Sequence, residues 1–144
     1  MGTWGISPFE NDTAGDFAIT LDETAPEGRE VLVRAMLVRA VEARDYLDSE
    51  DGQEAVAAAA LVAAQCPGGE PITGCGPEQA LPAFAADLRL LAAQALDRVA
   101  GAASELAELW NDTRDRLQWR QSTRRLRLVL APDPGPQTET LFEL

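Results

Sequence analysis

The chain has 144 residues, 24 acidic against 12 basic, a formal charge of −12 and a pI near 4.3, and every base is an arginine. Without histidine there is no Ser-His-Asp triad, no Cys-His pair and no imidazole ligand for zinc; without lysine there is no P-loop and no Schiff base. Any catalysis is left to carboxylates, Tyr46, the two thiols or a bound metal ion. A G+C-rich coding sequence, which favours Ala, Arg, Gly and Pro codons, accounts for the missing lysines. Hydrophobic residues at 46% with 25% charged describe a globular chain, and this length predicts one domain able to bury its own core. With 25 alanines and only 6% aromatics, that core is expected to be small side chains packed closely. MGTWGISPFEND has neither the basic start nor the apolar run of a signal peptide, and no stretch approaches the ~20 apolar residues of a membrane span. A cytosolic protein with no membrane association is expected.

The first eleven residues, with two Gly, one Pro, Trp4 and Phe9, read as an extended, aromatic-anchored lead-in. Asn11 or Asp12 is a natural N-cap, and Ala14, Phe17, Ala18 and Leu21 then recur at helical spacing up to a stop before Pro26. Pro26 and Glu27 open a second helix whose apolar residues (Val31, Leu32, Ala35, Val38, Val41, Leu47) cover more than one face, predicting a central helix packed on two sides. Ser49, Asp51 and Gly52 punctuate, and EAVAAAALVAA predicts a third helix from about Gln53 to Gln65.

CPGGEPITGC is a Gly/Pro-rich connection whose Cys66 and Cys75 are expected as free thiols in a reducing compartment, a bridge being the alternative. Pro77 and Pro82 frame a short helical turn. A fourth helix is expected over about Ala83–Ala100, with Phe84, Leu88, Leu91, Ala95 and Val99 inward and Gly101 at its C′ position. Ser104 caps SELAELW, with Leu106, Leu109 and Trp110 inward, and NDT at 111–113 breaks the helix. The last helix carries Trp119, Thr123, Leu126 and Leu130 at i, i+4, i+7 and i+11 and ends at Pro132. No alternating strand pattern is present. The expected fold is all-α: a compact bundle of five to six helices in one domain, 1–131, followed by a Pro-rich tail, 132–144, ending in TETLFEL, that either docks or stays loose.

The run MGTWGISPFENDTAGDF resembles the opening of the domain of unknown function 4259 family, G-[TA]-W-G-x-G-x-F-[DE]-N-D-x-A-x-D-[FW]. Gly2, Trp4, Gly5, Phe9, Glu10, Asn11, Asp12, Ala14, Asp16 and Phe17 match, and Ser7 replaces the usual glycine. SELAELW around Trp110 and the closing helix with Trp119 also look like family features. The resemblance implies a bacterial source and a domain reaching to about residue 130. It carries no activity.

Four constellations bear on chemistry. Glu10, Asp12 and Asp16, with Asn11, concentrate oxygen ligands suited to Mg²⁺ or Ca²⁺; the simpler account is a helix cap and a carboxylate at the positive end of the dipole, and no cofactor is then required. Glu105, Glu108, Asp112 and Asp115 offer paired carboxylates, although a string along one helix face is ordinarily solvated surface. Residues 114–127 hold six arginines and one acid, +5, leaving −17 on the remainder. There Arg116, Arg120, Arg124 and Arg127 line one stripe, to pair with the chain's own acids or to bind an acidic partner or phosphates; the overall −12 disfavours nucleic acid. Cys66 and Cys75 lack any activating base, and Tyr46 is expected as core or boundary packing.

The expected function is a non-catalytic acidic binding module that occupies a basic protein partner, as immunity proteins and antitoxins do, its contact lying away from the arginine helix. The alternatives are a Mg-, Mn- or Ca-dependent hydrolase built on Glu10, Asp12 and Asp16, and a homo-oligomeric scaffold joined through the Ala-rich helix at 53–65.

Overall fold

The computed structural model describes Thr3 and residues 5–131; Trp4 and the tail from 132 to 144 lie outside the described residues. Six helices follow one another: α1 (Asp12–Glu23), α2 (Pro26–Glu42), α3 (Ser49–Ala64), α4 (Asp87–Ala100), α5 (Glu105–Asn111) and α6 (Arg116–Leu130). Among the described residues there is no strand, only isolated bridges joining Thr3 to Asn11 and Leu47 to Ser104. The fold is the all-α bundle that the periodicity predicts.

Its centre is α3, which packs against α1, α2, α4, α5 and α6. All nine residues from Ala55 to Ala63 are buried, six of them alanine. A helix that is apolar all round belongs in an interior, and methyl-sized side chains let neighbours approach on every face. The central position expected for the second helix therefore falls to the third. Residues 55–63 are thus covered by the chain's own helices.

On α2 the buried face is Arg29, Val33, Met36, Leu37 and Ala40, while Val31 is 68% exposed and Ala35 also faces solvent. Leu47 lies beyond the helix. Apolar residues on all sides leave the phase undetermined by periodicity, and Arg29 selects it. Its Nε donates to the carbonyls of Leu21 (3.1 Å) and Thr24 (3.0 Å) and Nη1 to that of Ala80 (2.9 Å). A guanidinium is tolerated in the interior when its donors are satisfied.

Other boundaries move for equally local reasons. α3 begins at Ser49 rather than Gln53, because Asp48 Oδ1 accepts from Asp51 N at 2.8 Å. Gly52, expected to punctuate, sits inside the helix where a Cβ would lie 3.3 Å from Leu106 Cβ. No helical turn forms between Pro77 and Pro82, and α4 starts at Asp87 rather than Ala83. Side chains take the N–H groups that helices there would use: Asp22 accepts from Glu78 N (3.0 Å) and Gln79 N (2.9 Å), Gln65 from Phe84 N (2.9 Å) and Glu30 from Ala85 N (2.8 Å). Gly101 ends α4 in extended backbone, and the left-handed turn falls on Ala103 (φ 55°). Arg98 holds that turn, donating to the carbonyls of Ala102 (3.0 Å) and Ala103 (3.2 Å) and to Ala43 at 3.3 Å. Leu109, expected inward, is 52% exposed. Cys66 and Cys75 are both free thiols. No helix among the described residues is long and apolar enough to cross a membrane.

Enlarging the middle of α3 tests this arrangement. Ala58, with no exposed surface, has no room for a larger side chain. Ala58→Leu should lower the unfolding free energy by about 1–3 kcal/mol. The control Ala35→Leu, on the solvent face of α2, should stay within about 0.5 kcal/mol. Equal midpoints of the two variants in urea melts would contradict the central placement of α3.

Candidate functional site

The N-terminal motif folds into a tight structural unit. Phe9 is buried at 1% exposure, and Ala14 and Phe17 join the core from α1. Asn11 Oδ1 accepts from Ala14 N at 2.8 Å, capping α1, while its Nδ2 donates to the Pro8 carbonyl at 3.3 Å. Glu10 Oε1 accepts from Ser7 N at 3.0 Å, and a Cβ on Gly5 would displace the Glu10 carboxylate. Gly74 adopts φ +82°, and Cys75 N donates to the Phe9 carbonyl at 3.0 Å, tying the lead-in to the cysteine loop.

Glu10 is thus turned back into the lead-in while Asp12 and Asp16 lie exposed on α1. No group of three or more Cys, Asp or Glu side chains among the described residues is placed to hold a metal ion. Asp12 sits in the first turn of α1, complementing its dipole.

Trp110 and Trp119 stack with ring centroids 6.1 Å apart and planes 10° from parallel. Both line a void of about 20 Å³ together with Thr3, Ile6, Pro8 and Asn11, so the lead-in lies against the α5–α6 pair. Phe9, Asn11, Phe17, Trp110 and Trp119 all make contacts within the fold. The two N-D-T triplets serve differently: Asn11 is a cap, whereas Asn111 Oδ1 accepts from Arg120 Nη2 at 2.8 Å and Thr113 Oγ1 donates to the Trp110 carbonyl at 2.8 Å.

The arginine stripe is divided. Arg127 pairs with Asp97 (3.0 and 3.2 Å) and Arg120 forks onto Asn111. Arg116 and Arg124 are exposed, as are Arg114 and Arg125, and none of these four forms an ion pair among the described residues. Pairing with the chain's own acids accounts for Arg127 alone among the stripe's four residues.

Tyr46 is not in the core. It is 51% exposed, and its hydroxyl donates to Glu108 Oε1 at 2.7 Å. That bond, with desolvation and the negative potential of Glu108 and Glu105, pushes the phenol up to about 12. The link is one of several between the α2–α3 connection and α5. Leu47 N donates to the Ala103 carbonyl (2.9 Å), Glu105 N to the Leu47 carbonyl (2.8 Å), and Ser49 N to Glu105 Oε1 (2.8 Å). These bonds join residues 45–49 to the start of α5, and Asp45, Tyr46, Glu50, Glu108, Leu109 and Asp112 in the joined segments are all exposed.

A cleft of about 350 Å³ opens on another side. Its walls come from lead-in residues 6–9, the end of α3, residues 68–73 and α6, chiefly Ile6, Pro8, Phe9, Ile72, Leu126 and Val129, with Arg125 and Glu70 as its charged members. Neither the cleft nor the Tyr46 face follows from sequence motifs. Both arise from segments far apart in the chain.

Two measurements probe these assignments. Asn11→Ala should cost about 1 kcal/mol of stability, read from urea midpoints, and Asn11→Asp should keep the cap but lose the donation to the Pro8 carbonyl, for a smaller cost. Tyr46 is the sole tyrosine, so its ionisation is directly visible by ultraviolet absorbance. The midpoint should lie near 12 in the folded protein, against 10 for a free phenol, and Glu108→Gln should lower it. Since the folded state holds this proton more tightly, the contribution to stability is intact below pH 10 and is lost as pH rises towards 12.

A family model for a domain of unknown function (DUF4259) matches residues 2–122, from the lead-in into α6, and the chain belongs to that family. No curated protein and no solved structure matches the chain.

Proposed function

We propose that this DUF4259 protein is a non-catalytic binding module of the bacterial cytosol that occupies a basic partner protein through the acidic face built around Tyr46. The observation that carries the reading is the exposed Tyr46, hydrogen-bonded to Glu108 across a connection pinned to α5, in segments that also expose Asp45, Glu50, Leu109 and Asp112. Unneutralised carboxylates attract and orient a cationic surface, while a tyrosine already held by a hydrogen bond loses little entropy on contact. Several of the other acids are used internally. Asp87, Asp97, Asp51 and Glu54 pair with arginine, and Asp22, Glu30 and Asp48 accept backbone N–H groups. A protein that blocks a basic nuclease, in the manner of an immunity protein or antitoxin, is the concrete form of this function.

The test is affinity isolation from the native host at low salt, followed by reconstitution with the purified partner. A basic protein should bind stoichiometrically, with an association rate that falls at least about tenfold as salt is raised and screening shortens. Asp45→Asn/Glu50→Gln/Asp112→Asn should slow association about as much, whereas neutralising Asp12 and Asp16 on α1 should change little. A partner whose association rate is indifferent to both salt and the triple variant would overturn the reading.

A further inference from the structure

We propose that the cleft beside α6 binds a small linear organic acid, with its apolar body between Ile72 and Leu126 and its carboxylate on Arg125. The inference is independent of the protein-binding reading, because the cleft lies between α6 and residues 68–73 and shares no residue with the Tyr46 face.

The argument begins with size and lining. A volume near 350 Å³ falls in the range of small-molecule sites, which are concave, mostly apolar and furnished with a few polar groups. At ~30 Å³ per water it has room for about a dozen non-hydrogen atoms, the size of decanoate. Phe9, Ala60 and Ala63 form the buried part of the wall, and Ile72, Leu126 and Val129 add branched apolar surface.

Charge then selects the ligand's headgroup. Arg125 is exposed and forms no ion pair among the described residues, unlike Arg34, Arg39 and Arg127, which each hold a carboxylate. A guanidinium presents its donors as a fork that fits a carboxylate with two parallel hydrogen bonds. Glu70, the other charged group of the lining, repels the same headgroup and so sets the direction in which an acid lies. Because the protein as a whole is at −12, long-range attraction does not draw anions in. Apolar burial and the local contact with Arg125 supply the binding.

Calorimetric and amide-NMR titration of the full chain with hexanoate, octanoate, decanoate and decylamine tests the site. Decanoate should bind one to one, shifting the amides of Ile72 and Leu126, with affinity rising up to about fourfold per added methylene along the series. Arg125→Ala, a change at an exposed helix position that leaves the core intact, should weaken decanoate about tenfold, and Arg125→Lys should recover part of the loss. Decylamine should bind at least tenfold more weakly. Absence of saturable binding, shifts confined to other surfaces, equal binding of the amine, or indifference to Arg125→Ala would each overturn the proposal. A chain ended at Ala131 should bind decanoate as the full chain does. Binding that appears only after this shortening would assign the cleft to the chain's own C-terminal residues and overturn the proposal too.

Discussion

The enclosure of α3 is the constraint from which the other placements follow. Five helices approach one helix, and they do so because its contact residues are mainly methyl groups. Small side chains exchange bulk for proximity. Each neighbour gains many weak dispersion contacts with the α3 surface, and no large aromatic is required in the middle. The larger apolar groups, Phe9, Phe17, Trp110 and Trp119, then serve at the periphery, where the short α1 and α5 and the lead-in meet the bundle. Such a core is sensitive to added volume at its centre and forgiving at its edge.

Arginine, the only base, divides into kinds of work that lysine does less well. Arg29, Arg89 and Arg98 point forked donors at backbone carbonyls where helices end: Arg29 at the end of α1, Arg98 at the turn after α4, and Arg89 at Val129 and Leu130 (both 3.3 Å), closing α6. Arg34 lies across α2 and α4 in a bidentate pair with Asp87 (2.8 and 3.0 Å), which holds that carboxyl below the usual range. The exposed members of α6 do neither, and this is why the positive charge on that helix remains available. The uneven charge of the sequence is therefore real at the surface, but it is a remainder. What is left outside is the part that the interior and the helix ends have not used.

Most of the helical framework is legible in the chain because the signals are local. Asn11 before an i, i+3, i+4 pattern, Pro26 at a helix start, Ser104 as a cap and the Trp119–Leu130 stripe each act within one or two turns. Where local signals are silent or balanced, distant groups decide. The phase of α2 depends on Arg29 reaching carbonyls of α1 and of Ala80; the late start of α4 depends on Glu30 and Gln65; the exposure of Tyr46 depends on Glu108, 62 positions away. The candidate surfaces share that dependence. The carboxylates Glu10, Asp12 and Asp16 look like a cluster in one dimension, yet the turn at Ser7 takes Glu10 away from the other two. The cleft and the Tyr46 face gather residues that no spacing rule connects.

The contact between the lead-in and the stacked tryptophans of α5 and α6 has a consequence for how the molecule assembles. Synthesis delivers the lead-in more than a hundred positions before Trp119. Helices α1 to α4 can pack about the alanine axis while the remainder is still being made. The lead-in must wait until α6 is made before its packing partners are complete. The lead-in and α6 thus close the bundle like a clasp, and shortening the chain within α6 would leave the lead-in without its place.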